Sequence, residues 1–110
     1  QTGNNKCKMG KDKVIDTLTS IIGNVIAHKI VAKHTNHPES INFLNSEVLA
    51  YRDTAIEKAL EYNWNTDDLQ IIYKESLDKA RKILKNKYPD VLFKEEELIT
   101  ITNETIKEVL

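Results

Sequence analysis

Apolar residues recur every three or four positions in four segments of the chain, which is the spacing of an amphipathic α-helix. The segments cover about residues 11–34, 38–62, 66–87, and from 90 or 94 to 110. The second segment has the most regular pattern, with apolar positions at Ile41, Leu44, Val48, Tyr51, Ala55, Ala59 and Tyr62. The pattern therefore predicts four helices.

Residues at the ends of these segments are typical of helix boundaries. Pro38 suits the first position of a helix, and Asn65 or Thr66 suits an N-cap. In the last segment, residues 98–102 alternate and are rich in β-branched side chains, so a short strand is an alternative there. The three glutamates at 95–97 favour a helix, because acidic residues stabilise a first helical turn.

The first segment changes its apolar face along its length. Ala27, Ile30 and Val31 lie on nearly the opposite side of the helix from the earlier apolar residues. Phe43 and Ile71 likewise lie off the main faces of their helices. Because apolar surface left uncovered in a small protein usually marks association, we expect these five residues to form a homodimer contact.

Trp64 lies in the polar break between the second and third segments. A tryptophan in such a break either closes the end of a helical bundle or anchors an interface with a partner. We expect Trp64 to close the bundle, and we keep the interface anchor as the alternative.

Length and charge indicate how the helices are arranged. The chain has 110 residues, enough for one domain, which we assign to residues 11–110 with residues 1–10 as a polar tail or an added segment. Net charge is −1, and the four segments alternate between basic and acidic along the chain. Sequential helices joined by short loops pack antiparallel, so the sequence predicts an all-α, up-down antiparallel four-helix bundle with neighbours of opposite charge.

The chain has no run of about 20 continuous apolar residues, so we expect no membrane partner. Its single cysteine, Cys7, cannot form an internal disulfide, which favours a cytoplasmic location. The sequence begins at Gln1, so a secreted protein that has lost a signal peptide is the alternative.

Three histidines lie within ten residues of one another. His28, His34 and His37, with Glu39 close behind, supply the ligand types that zinc and other transition metals prefer. Against this, His28 and His34 are six residues apart and so point in different directions from one helix. The cluster predicts a metal-binding or small-ligand-binding alternative.

Known catalytic motifs do not occur in the sequence, including glycine-rich phosphate loops and the HExxH zinc motif. We therefore expect no catalytic activity and no cofactor. The main prediction is a self-associating interaction or structural module. A weaker alternative is a nucleic-acid-associated regulator that uses the basic third helix. Against this, a slightly acidic chain lacks the overall positive field that attracts nucleic acid.

Overall fold

A computed structural model describes the backbone of residues 2–110 and the side chains of residues 10–110. In that part of the chain the helices are α1 (Thr2–His34), α2 (Pro38–Ala59), α3 (Thr66–Lys87) and α4 (Glu95–Val109). They pack into an all-α four-helix bundle, which confirms the predicted fold class. The last segment is helical throughout 98–102, so the strand alternative is wrong.

Helix boundaries follow the local sequence, with two differences from the prediction. Asn65 is the N-cap of α3: its side chain accepts from the Asp68 backbone N–H at 2.8 Å, and the Asp68 carboxylate accepts from the Asn65 N–H at 3.1 Å. The second helix ends at Ala59, before the predicted residue 62. The first helix begins at Thr2, inside the predicted tail, but the side chains of 1–9 lie outside the described residues, so the tail boundary stays a prediction.

Helix α1 is the central element of the bundle, because it contacts each of the other three helices. Helices α1 and α3 run parallel, since Lys11 of α1 binds Asp68 in the first turn of α3, and Gly23 lies against Ala80 further along both helices. Among the described residues, α2 and α3 do not contact each other. Both pack on α1, and α4 packs against all three.

This arrangement differs from the expected one, in which sequential helices are neighbours of opposite charge. The connection at 60–65 crosses the end of the bundle and joins two helices that pack on α1 without contacting each other. The two basic segments, α1 and α3, therefore lie side by side. The Lys79 ammonium of α3 offsets part of the repulsion between these two basic helices, because it donates to the Asp16 carboxylate of α1 at 2.9 Å and to the Thr19 hydroxyl at 2.7 Å.

Close packing between α1 and α3 depends on small residues. A Cβ placed on Gly23 would lie 3.0 Å from the Lys79 Cβ and 3.2 Å from the Ala80 backbone nitrogen. Glycine at this position lets the two backbones approach, at a cost of about 1 kcal/mol in helix propensity relative to alanine. Ser76 and Ala80 on α3 are fully buried.

The core runs along α1 and is built from fully buried aliphatic side chains: Leu18, Ile22, Val25, Ile26, Ile30, Ile72 and Leu98. Within the described residues, one segment, Gly10–His34, is long and apolar enough to cross a membrane. Two thirds of its apolar window (67%) is buried against the other helices. Burial in the bundle is a sufficient reason for that composition, because a core helix meets the same criterion.

Candidate functional site

The structure does not bring the four residues predicted to bind a metal together at one point. His28 is buried, and His34 hydrogen-bonds Glu97 of α4 at 2.7 Å. His37 lies on the surface with its Nδ1 4.0 Å from the Glu39 carboxylate. Across the described side chains, no three histidine, cysteine, aspartate or glutamate residues are placed to hold a metal ion. The structure therefore does not assemble the four predicted ligands, because the helix directs His28 away from His34 and His34 is paired with Glu97.

Glu97 joins the end of α1 to the start of α4. Its carboxylate accepts from His34 and lies 3.1 Å from the Lys33 ammonium. Burial raises the pKa of Glu97, but the hydrogen bonds from His34 and Lys33 outweigh burial and leave the pKa below its ordinary value. This cluster holds two helix ends together and leaves Glu97 ionised.

The apolar surface predicted on α1 is not exposed. Ala27 and Ile30 are fully buried, and Val31 is 5% exposed. The reason is the central position of α1: its apolar face rotates along the helix because different partners cover different sides of it. These three residues are core residues of one chain, so the prediction that they form an uncovered surface is wrong.

Phe43 and Ile71 are exposed, as predicted, but they do not form one surface with each other. Phe43 lies on α2 and Ile71 on α3, and these helices do not touch in the described part of the chain. Each is a single exposed side chain, which is ordinary for a protein surface.

Trp64 is half-buried and packs against the core at one end of the bundle. Its indole N–H donates to the Ala59 carbonyl at 2.9 Å, and its ring lies 5.9 Å from that of Tyr62. The Lys11 ammonium lies 5.6 Å from the ring centroid. Lys11 also binds Asp68 at 2.7 Å, and this hydrogen bond, with that from the Asn65 backbone, lowers the pKa of Asp68.

Beside Trp64 lies an open groove of about 600 Å³, which we call the bundle-end groove. It is lined by Ala59, Leu60, Tyr62, Asn63, Trp64, Leu69, Ile106, Lys107 and Leu110. Leu60 is 80% exposed, Leu69 39% and Leu110 41%, so three large apolar side chains meet water around one depression. Lys107 is the charged residue of the lining.

Sequence reasoning did not identify this groove. The periodicity of α3 places Leu69 in the core, and Leu60 on a flanking apolar rib of α2. The early end of α2 and the crossing connection leave both side chains at the rim instead. The available signal was the apolar Leu60 followed by the polar break that ends α2.

The basic residues of α3 are partly engaged within the chain. Lys79 binds α1, and the Arg81 guanidinium forms two hydrogen bonds with the Glu95 carboxylate, 2.8 Å long between Nη2 and Oε2. These hydrogen bonds raise the pKa of Arg81 and lower that of Glu95. Both cations are thus used to join helices, which weakens the case for a nucleic-acid surface on α3.

Comparison of the chain with protein-family models, with curated proteins and with solved structures finds no match.

Proposed function

We propose that this protein is a self-associating interaction module and that the bundle-end groove receives a second copy of the chain. The observation that carries the proposal is the grouping of Leu60, Leu69 and Leu110 around one depression, with Trp64 in its wall. Exposed apolar residues grouped beside an aromatic side chain are typical of protein interfaces. This surface takes the place of the one that the sequence predicted on α1.

The proposed occupant is a second copy because charge does not oppose it. Net charge is −1, so two copies repel each other weakly. The groove region also carries both signs, with Lys107 on α4 and the exposed Glu57 near the end of α2, while Glu61 is paired with Lys58 at 3.1 Å. A two-fold axis brings the same patch of both copies together, so Lys107 of each copy can face Glu57 of the other copy.

The experiment compares two single substitutions of the same kind, Leu60→Lys and Leu92→Lys, by sedimentation equilibrium over a range of concentrations. Leu92 is the matched control, since it is 83% exposed and lies at the other end of the bundle, beside His34. Both side chains are exposed, so both variants are expected to fold; a lysine at the end of α2 also suits the helix dipole.

We expect the unmodified chain and Leu92→Lys to approach twice the chain mass as concentration rises, while Leu60→Lys stays at one chain mass. Equal masses for the two variants would contradict the proposal, because association would then not involve the groove. A single-chain mass for the unmodified protein at hundreds of micromolar would also contradict it, and would direct attention to a different protein or a small apolar ligand as the occupant.

A further inference from the structure

His28 is a buried titratable residue that the proposed self-association does not use. It is 8% exposed, and its Nδ1 atom is buried with no hydrogen-bond partner among the described residues. Buried polar atoms are nearly always paired, so an unpaired ring nitrogen at a buried position between helices is unusual.

Two tyrosine rings flank the His28 ring. The Tyr51 centroid is 5.7 Å away at a tilt of 40°, and the Tyr88 centroid is 6.3 Å away with its ring nearly perpendicular. Tyr51 belongs to α2 and Tyr88 is the C-cap of α3. His28 therefore joins α1 to both of the helices that do not contact each other.

We propose that this three-ring contact is a pH-sensitive element, and that protonating His28 as the solution becomes acidic weakens the packing of α2 and of the C-terminal end of α3 on α1. Protonation places an N–H donor at Nδ1 where no acceptor lies among the described residues. It also places a positive charge at a buried position, away from water. Both changes disfavour the folded arrangement.

The surroundings of His28 have opposing effects on its pKa. Burial has the largest effect and lowers the pKa below 6.5. Glu47 of α2 raises the pKa, and Lys87 of α3 lowers it further. The charged residues of α4 that contact α1, Glu97 and Glu108, bind His34, Lys33 and Lys29 instead. The net direction favours the neutral ring in the folded chain.

The lowered pKa of His28 determines how the stability of the folded chain changes with pH. Because the pKa of His28 is lower in the folded chain than in the unfolded chain, the unfolded chain takes up the proton first as pH falls below 6.5. The stability contributed by the neutral ring is fully present above pH 6.5 and is lost as pH falls through the lowered pKa. One proton of difference raises the unfolding equilibrium constant by up to about tenfold per pH unit in that window.

The first test is urea unfolding at several pH values between 7.5 and 5 for the unmodified chain, for His28→Phe and for the control His37→Gln. Phenylalanine keeps an aromatic ring of similar size and removes the titrating nitrogen. We expect the unmodified chain and His37→Gln to lose stability in parallel as pH falls, and His28→Phe to lose much less. An unchanged pH dependence in His28→Phe would overturn the proposal.

The second test uses the unmodified chain and so does not depend on how the variant folds. The proton NMR signals of its three histidine rings are followed against pH and assigned with His34→Gln and His37→Gln. We expect the His28 signal to report a pKa below 6.5 and the tyrosine ring signals to shift with it. A His28 pKa at or above 6.5, or tyrosine signals that do not respond, would overturn the proposal.

Discussion

The interface between α1 and α3 and the bundle-end groove place similar residues in opposite environments. Along α1, Ile26 and Ile30 are fully buried, while at the groove Leu60 is 80% exposed. The two isoleucines lie within α1, whereas Leu60 is the C-cap of α2 and is followed by a polar break. The difference arises from the connection at 60–65, which crosses the end of the bundle and leaves that end partly open. Tertiary arrangement, more than local periodicity, therefore decides which apolar residues remain available to a partner.

The largest expected effect on stability comes from removing a fully buried core side chain of α1. Ile30→Ala is expected to lower the free energy of unfolding by about 2–5 kcal/mol, because it removes a fully buried side chain and leaves a cavity. Leu92→Ala, at a position 83% exposed, is expected to change it by less than about 0.5 kcal/mol. Urea unfolding measures both. A small loss for Ile30→Ala would mean that this residue is available at the surface, as the sequence alone suggested.

A second substitution tests how closely α1 and α3 approach. Gly23→Val is expected to lower the free energy of unfolding by about 1–3 kcal/mol, because its added atoms meet the Lys79 Cβ and the α3 backbone. The control is Thr17→Val, which places the same side chain at an exposed position of α1 and is expected to change stability by less than about 0.5 kcal/mol. Equal effects would show that the two helices are not in close contact at Gly23.

The smallest effect concerns the buried hydroxyl group of Ser76 on α3, which has no hydrogen-bond partner among the described residues. Ser76→Ala is expected to raise the free energy of unfolding by about 1 kcal/mol, because it removes an unsatisfied polar group without adding volume. Thr105→Val is the contrasting variant, since the Thr105 hydroxyl accepts from the Lys29 ammonium at 2.9 Å. Thr105→Val is expected to be less stable than the unmodified chain. A loss of stability in Ser76→Ala together with a gain in Thr105→Val would contradict the hydrogen bonding described for these two hydroxyl groups.

The sequence predicts the helices well, because each carries its own periodicity and boundary residues. Pro38 at the start of α2 and the capping box at Asn65 are local signals, and the structure has both. The arrangement of helices was less predictable. Whether α3 packs beside α2 or beside α1 depends on the path of the connection and on the close approach at Gly23, neither of which has a periodic signature.

The candidate sites were predicted less well, for related reasons. Ala27, Ile30 and Val31 were expected at a surface because their face differs from that of the preceding turns, but α1 is covered on several sides. Proximity in sequence also suggested a metal site at His28 and His34, which the helix directs apart. The position of Trp64 at an end of the bundle was predictable, because it lies in the polar break between two helices.

Trp64 provides the most direct measurement of the central claim, that copies of this chain meet at the bundle-end groove. It is the only tryptophan in the sequence and it lines the groove, so its fluorescence reports whether the groove is covered. On dilution from hundreds of micromolar to below one micromolar, we expect the emission maximum to move to longer wavelength as water reaches the ring. Leu60→Lys should show the long-wavelength emission at every concentration, and Leu92→Lys should behave as the unmodified chain. Emission that does not change with concentration, and is the same in all three proteins, would contradict the account.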